Sequence, residues 1–116
     1  MPITTVRNIL VAAGGVTALV DQRISPLIRA QDEVLPCITL TLVTTVPFNH
    51  LHGRPSLDEN RVQVDSWAET YADARAVAYA CREALESAGL VMSSETEDSE
   101  PDVNEYRVTQ DWLLWT

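Results

Sequence analysis

"RVQVDSWAETYADARAVAYACREALE", residues 61–86, changes its period halfway along. The first part alternates. Val62 and Val64 point one way, and Arg61, Gln63 and Asp65 point the other, which is the signature of a half-buried strand. Thr70 to Asp73 then reads as a capping box, and the spacing of apolar residues lengthens to three and four. Tyr71, Ala74, Ala78, Cys81, Leu85 and Ala88 form one stripe, widened by Val77 and Ala84. Asp73, Arg75, Arg82, Glu83 and Glu86 lie off that stripe, and Gly89 suits the position just past a helix end. A strand therefore feeds directly into an amphipathic helix whose buried face is mostly alanine. Small residues let such a helix lie close on a sheet.

Working outward, "CITLTLVTTV" (37–46) is rich in β-branched residues and reads as a second strand. Strict alternation would put Ile38, Leu40, Leu42, Thr44 and Val46 on one face and Cys37, Thr39, Thr41, Val43 and Thr45 on the other. Residues 47–58, PFNHLHGRPSLD, hold two prolines and a glycine and predict a long projecting connection between the two strands. At the front of the chain, Val6, Ile9, Leu10 and Ala13 recur at helical spacing, with Thr4 or Thr5 as the expected cap. Gly14-Gly15 breaks this helix, and Val16, Ala18, Leu19 and Val20 predict a short further turn. Pro26 confines "RISPLI" to a sheet edge or a strand start. Past the long helix, "LVMSS" predicts a short strand, residues 95–105 an acidic loop, and "YRVTQDWLLWT" a closing strand.

The order is helix, short strand, strand, strand, helix, strand, strand. It predicts an α+β fold: a mostly antiparallel sheet with an N-terminal helix and one long helix on one face, and a projecting hairpin loop. One domain, residues 1–116, is expected, with no internal repeat. Trp112, Leu113, Leu114 and Trp115 make the end of the last strand apolar on both sides. That pattern wants cover on both sides, from the chain itself or from a neighbouring subunit.

With 46% hydrophobic residues, the composition is that of a globular domain able to bury a core. No apolar run approaches the roughly 20 residues of a membrane helix, and no membrane role is expected. The first fifteen residues lack the basic leader and long apolar core of a secretory signal, so synthesis and folding in a cytosol are expected. Cys37 and Cys81 match no metal spacing and are expected as buried free thiols. The formal net charge is −9, all eight basic residues are arginines, and seven of the 17 acids fall in residues 95–116. Such a balance lacks the footprint of phosphate-gripping nucleic-acid binders.

The motifs of catalysis are missing. There is no G-x-G-x-x-G, no P-loop and no G-x-S-x-G, and nothing brings a cysteine to a histidine. His50 and His52 share one loop with too few further ligands for a zinc site, and the acids of 95–105 lack the glycine of a calcium loop. No catalytic, cofactor or metal residues are predicted. Phe48, Asn49, His50, Leu51, His52 and Arg54 are expected as a partner-contact loop, and Trp112 to Trp115 as a subunit interface.

Arg23 to Pro26, the proline-led strand from Pro36 to Val43, and "VQVDSWA" running into the helix of Thr70 to Ala88 resemble the tail completion, or head-to-tail joining, proteins of long-tailed bacteriophages and prophages. The resemblance spans nearly the whole chain. It implies a virion protein made in the host cytoplasm that forms a ring, usually a hexamer, at the head-proximal end of the tail tube. The ring would end tube polymerisation and dock the tail on the head connector, while DNA passes through without specific binding. The implied partners are further copies of the chain, the tail tube protein and the connector protein, with no cofactor and no enzymatic activity. An acidic channel lined by residues 95–105 would let DNA slide. The competing reading is a small α+β module in the host cytoplasm that binds a protein or ligand.

Overall fold

The computed structural model describes residues 2–26, 34–48, 57–100 and 105–115. In chain order these form α1 (Pro2–Ala12), α2 (Gly14–Val20), β1 (Ile24–Pro26), β2 (Cys37–Phe48), β3 (Leu57–Ala68), α3 (Tyr71–Ser87), β4 (Val91–Glu100) and β5 (Glu105–Trp115). The strands make one sheet in the order β1-β2-β3-β5-β4. β1 runs parallel to β2, and every other pair is antiparallel. The expected α+β fold and element order are both observed.

The helices cover one face of the sheet. Val6 and Leu10 of α1, Val16 and Val20 of α2, and Val77, Cys81 and Leu85 of α3 pack with Ile38, Leu40, Val62, Val64, Trp112 and Leu114 in one core. A smaller cluster of Ala68, Ala74, Ala78 and Val108 continues it toward the start of α3, where the alanines bring helix and sheet together. Both cysteines are buried, and neither forms a disulfide. Burial pushes the Cys81 thiol up to about 12, against a smaller opposing effect of Ser66.

Both ends of α3 are built as the sequence predicts. The Thr70 hydroxyl accepts a hydrogen bond from the Asp73 amide at 3.1 Å. At the other end Gly89 sits at φ 91°, which spares it the Cβ penalty of the left-handed region. The Gly89 amide donates to Glu86 O and the Leu90 amide to Leu85 O, each at 3.0 Å, and these two bonds define a Schellman cap. Two members of the expected stripe depart from it, since Tyr71 and Ala88 are exposed. Tyr71 lies at the helix entrance, where its ring meets Tyr106 edge-on and its hydroxyl donates to Glu97 at 2.8 Å. That hydrogen bond is the main cause that holds the Tyr71 hydroxyl above its ordinary pKa.

Four expectations need correction. α1 begins at Pro2, so Thr4 and Thr5 lie inside the helix and neither caps it. A bulge between Leu42 and Thr44 shifts the register of β2. Thr45 therefore pairs with buried Asn60, while Thr44 and Val46 pair with Arg61 and Glu59 on the uncovered face. The connection predicted over 47–58 is shorter, because Pro47 and Phe48 pair with Asp58 and Leu57 as strand residues. Residues 49–56 lie outside the described residues. Finally, residues 95–100 are strand, not loop: β4 runs through the acids as far as Glu100, paired with β5. Residues 101–104 are outside the described residues. An edge strand tolerates this acidic text because one side of its backbone stays in water, and charge on an edge discourages stray pairing.

Asn60 and Gln110 are buried polar residues that pin strands together. Asn60 accepts from the Thr45 hydroxyl at 2.9 Å and donates to Leu114 O at 3.5 Å, joining β2, β3 and β5 at one level. Gln110 donates to Ala78 O of α3 at 3.0 Å and to Glu95 of β4 at 2.8 Å, and accepts from the Trp112 indole at 3.1 Å. Each buried polar atom of that glutamine is thereby matched.

Candidate assembly surface

The sheet face opposite the helices carries no second layer among the described residues. Its lower half is tied together by side-chain contacts within the chain. The Trp67 indole donates to Thr39 at 3.0 Å, Arg107 lies 5.3 Å over the Trp67 ring, and Arg107 reaches Asp98 at 3.0 Å. Asp65, nearly buried on the central strand, accepts from Gln63 and from the Thr109 hydroxyl.

The upper half of that face is different. The register puts Val46, Glu59 and Trp115 side by side in one row, and Thr44, Arg61, Leu113 and Val91 in the next. Val46, Val91 and Trp115 are 45%, 50% and 44% exposed. Arg61 crosses this surface to donate to Ser93 at 2.8 Å, with Asp111 at 3.8 Å. β2 and β3 also run two register pairs beyond the end of β5, so the hairpin forms an arm at this end of the sheet. All of β2 from Leu42 to Pro47 is exposed. Asn60 ties the base of the arm to the core through Thr45 and Leu114.

The expected site residues divide accordingly. Phe48 closes β2 opposite Leu57. Asn49, His50, Leu51, His52 and Arg54 lie outside the described residues, in the connection that joins the two arm strands. Trp112 and Leu114 belong to the chain's own core, at 0% and 5% exposure, so neither offers surface to a neighbour. Alternation turns Leu113 and Trp115 to the uncovered face. Sequence reasoning missed the apolar neighbours of Trp115, namely Val46 and Val91. Strict alternation sets Val46 on the face of Ile38 and Leu40, because VTTV reads the same in either direction and hides the bulge at Val43.

Among the described residues, no group of His, Cys, Asp and Glu could hold a metal ion. No single helix among them is long and apolar enough to cross a membrane.

The comparisons with known proteins agree with this architecture. A comparison with curated proteins found no match. Among solved structures, a chain of the "Virion of native gene transfer agent (GTA) particle" superposes with a TM-score of 0.70 at 15% identity, covering 93% of this chain and 88% of that one. That likeness shows a shared fold. The profile of the family "Tail completion protein gp17" matches residues 4–116, and favours the tail reading over a host binding module. The chain belongs to the tail completion protein gp17 family, structural proteins of the phage virion's tail.

Proposed function

We propose that the chain forms a ring, with six copies as the expected number, at the head-proximal end of the tail tube. The ring ends tube polymerisation and joins the tail to the head connector, and DNA passes through its opening. No catalytic step is part of this reading. The observation that carries it is the uncovered upper half of the sheet in a chain whose family membership is that of tail completion proteins. Val46, Val91, Leu113 and Trp115 offer apolar area that the monomer leaves in water, and the arm of β2 and β3 sets the 49–56 connection at the same end. In this reading Phe48, Asn49, His50, Leu51, His52 and Arg54 touch the connector, the tube or the next subunit, and Leu113 and Trp115 face a neighbouring copy. The net charge of −9 suits a channel that must not hold DNA.

Replacement of residues 49–55 by two glycines, which leaves a three-residue turn with Ser56, tests the arm. The variant should fold as the wild type does, by circular dichroism and thermal melting, yet yield separate heads and tails. Normal joining by that variant would end the contact role of the loop.

A further inference from the structure

Among the described residues the sheet has two open edges, and they face opposite ways. Among the described residues, β1 pairs with β2 over Ile38 to Leu40. Above Leu40, no described residue pairs with the outer edge of β2. At the far side, no described residue pairs with the outer edge of β4. The strand order β1-β2-β3-β5-β4, with antiparallel pairs after β1, makes β2 and β4 run in opposite directions. If a second copy is set beside the first in the same orientation, its β2 therefore meets β4 of the first as an antiparallel neighbour.

The levels also match. Thr41 lies level with Gln63, Asp111 and Ser94, and Thr44 with Arg61, Leu113 and Val91. The part of open β2 level with β4, Thr41 to Thr44, carries no charge, and neither does Val91 to Ser94 of β4 at the same height. Each edge has one bulge, at Val43 in β2 and at Ser93 in β4, on adjacent levels. Bulges usually blunt an edge by bending it away from partners. Here a bend in one edge has its counterpart in the other.

Lower down, the charges complement each other. Ile24 of β1 lies level with Ile38, Ser66, Val108 and Glu97, and Cys37, next to Ile38, lies level with Trp67, Arg107 and Asp98. Residues 1–26 hold Arg7 and Arg23 against the single acid Asp21, and residues 91–100 hold four acids and no base. Arg7 and Arg23 both sit at the β1 edge, where Arg7 donates to Ile24 O and Arg23 to Pro36 O. Arg75 and Arg107 offset part of the acidic charge inside the chain.

We propose that β2 of one copy pairs antiparallel with β4 of the next copy, through Thr41–Thr44 and Val91–Ser94, so that one sheet continues from subunit to subunit. The contact is heterologous, the kind that closes rings or extends filaments. The proposal rests on the ring reading and specifies its interface.

The test uses the full chain with proline at either bulge, Val43→Pro or Ser93→Pro. A bulge residue has no partner in the internal ladder, so proline there spares the monomer's sheet and disrupts the outer edge. Thr44→Lys and Val91→Lys, both at exposed positions on the same level, serve as the second pair of variants should a proline variant fail to fold. Mass is read by light scattering up to the highest soluble concentration. The wild type should exceed the single-chain mass of 12.9 kDa. Each variant alone should stay at that mass. An equimolar mixture of the β2-edge and β4-edge variants should form a pair and nothing larger, since one intact edge of each kind remains. Folded variants that assemble like the wild type would overturn the pairing, and so would a mixture that stays monomeric. A wild type that remains at one chain at every concentration would overturn it too, and would leave the ring reading to the test of particle joining.

Discussion

The Gln110 side chain donates to the carbonyl of Ala78 at 3.0 Å, across the boundary between β5 and α3. The same amide group reaches Glu95 on the edge strand, and its oxygen takes the Trp112 indole proton. One buried residue thus sets the height of the long helix over the sheet and the pairing of the acidic edge. Gln110→Leu would leave the Trp112 N–H buried without a partner. The expected loss is about 1–3 kcal/mol, read from the urea midpoint at unchanged slope. Adding Trp112→Phe should recover part of it. A double variant that is simply the sum of two losses would argue against the coupling.

Trp112 and Trp115 should behave as opposites. Trp112→Ala empties a fully buried site and should cost about 3–5 kcal/mol. Trp115→Ala should change monomer stability by less than about 0.5 kcal/mol. It should instead weaken subunit association by roughly tenfold or more, as loss of an aromatic anchor does. Thermal melting separates the first effect, and sedimentation across concentrations reads the second.

The ends of α3 give two small, independent effects. Thr70→Ala removes the acceptor for the Asp73 amide and should cost about 1 kcal/mol. Gly89→Ala meets no atom within 4 Å. Its penalty is then backbone strain alone, about 1–2 kcal/mol for a positive φ. Chemical denaturation of both variants and the double variant should show additive losses.

Cys81 links stability to alkaline pH. Burial raises its folded pKa from 9.0 to about 12 and so favours the neutral thiol. The contribution is complete below pH 9.0 and is lost as pH climbs toward 12. The urea midpoint of the wild type should fall across that window, and Cys81→Ala should fall less steeply. At neutral pH a thiol reagent should modify Cys81 only as fast as the chain opens. Rapid labelling of the folded protein would contradict the burial.

Local periodicity carries much of the architecture. The change from alternation at Val62 and Val64 to the stripe from Ala74 to Leu85 depends on neighbours within two to four residues, and any sequence displays such neighbours. The caps at Thr70 and Gly89 are equally local, as is the break at Gly14-Gly15. The candidate surface was legible in part. Leu113 and Trp115 stand out as apolar residues at the end of a strand, and the length of the 47–58 segment points to an arm.

Other features depend on partners distant in the chain. Of the apolar pair on either side of Trp112 and Leu114, only pairing with β3 and cover by the helices could show which face is already occupied. The bulges at Val43 and Ser93 are answers to the twist of the assembled sheet, and VTTV has the same polarity in either register. Residues 95–100 read as a loop because acids disfavour a strand in isolation. The edge position of β4, Gln110 beneath Glu95 and Arg75 beside Glu95 and Glu97 reverse that preference. The sequence by itself determined where most helices and strands lie, because that choice is made largely by nearest neighbours. Only the tertiary structure decided which faces and edges stay uncovered among the described residues, because exposure is what is left after every long-range pairing is made.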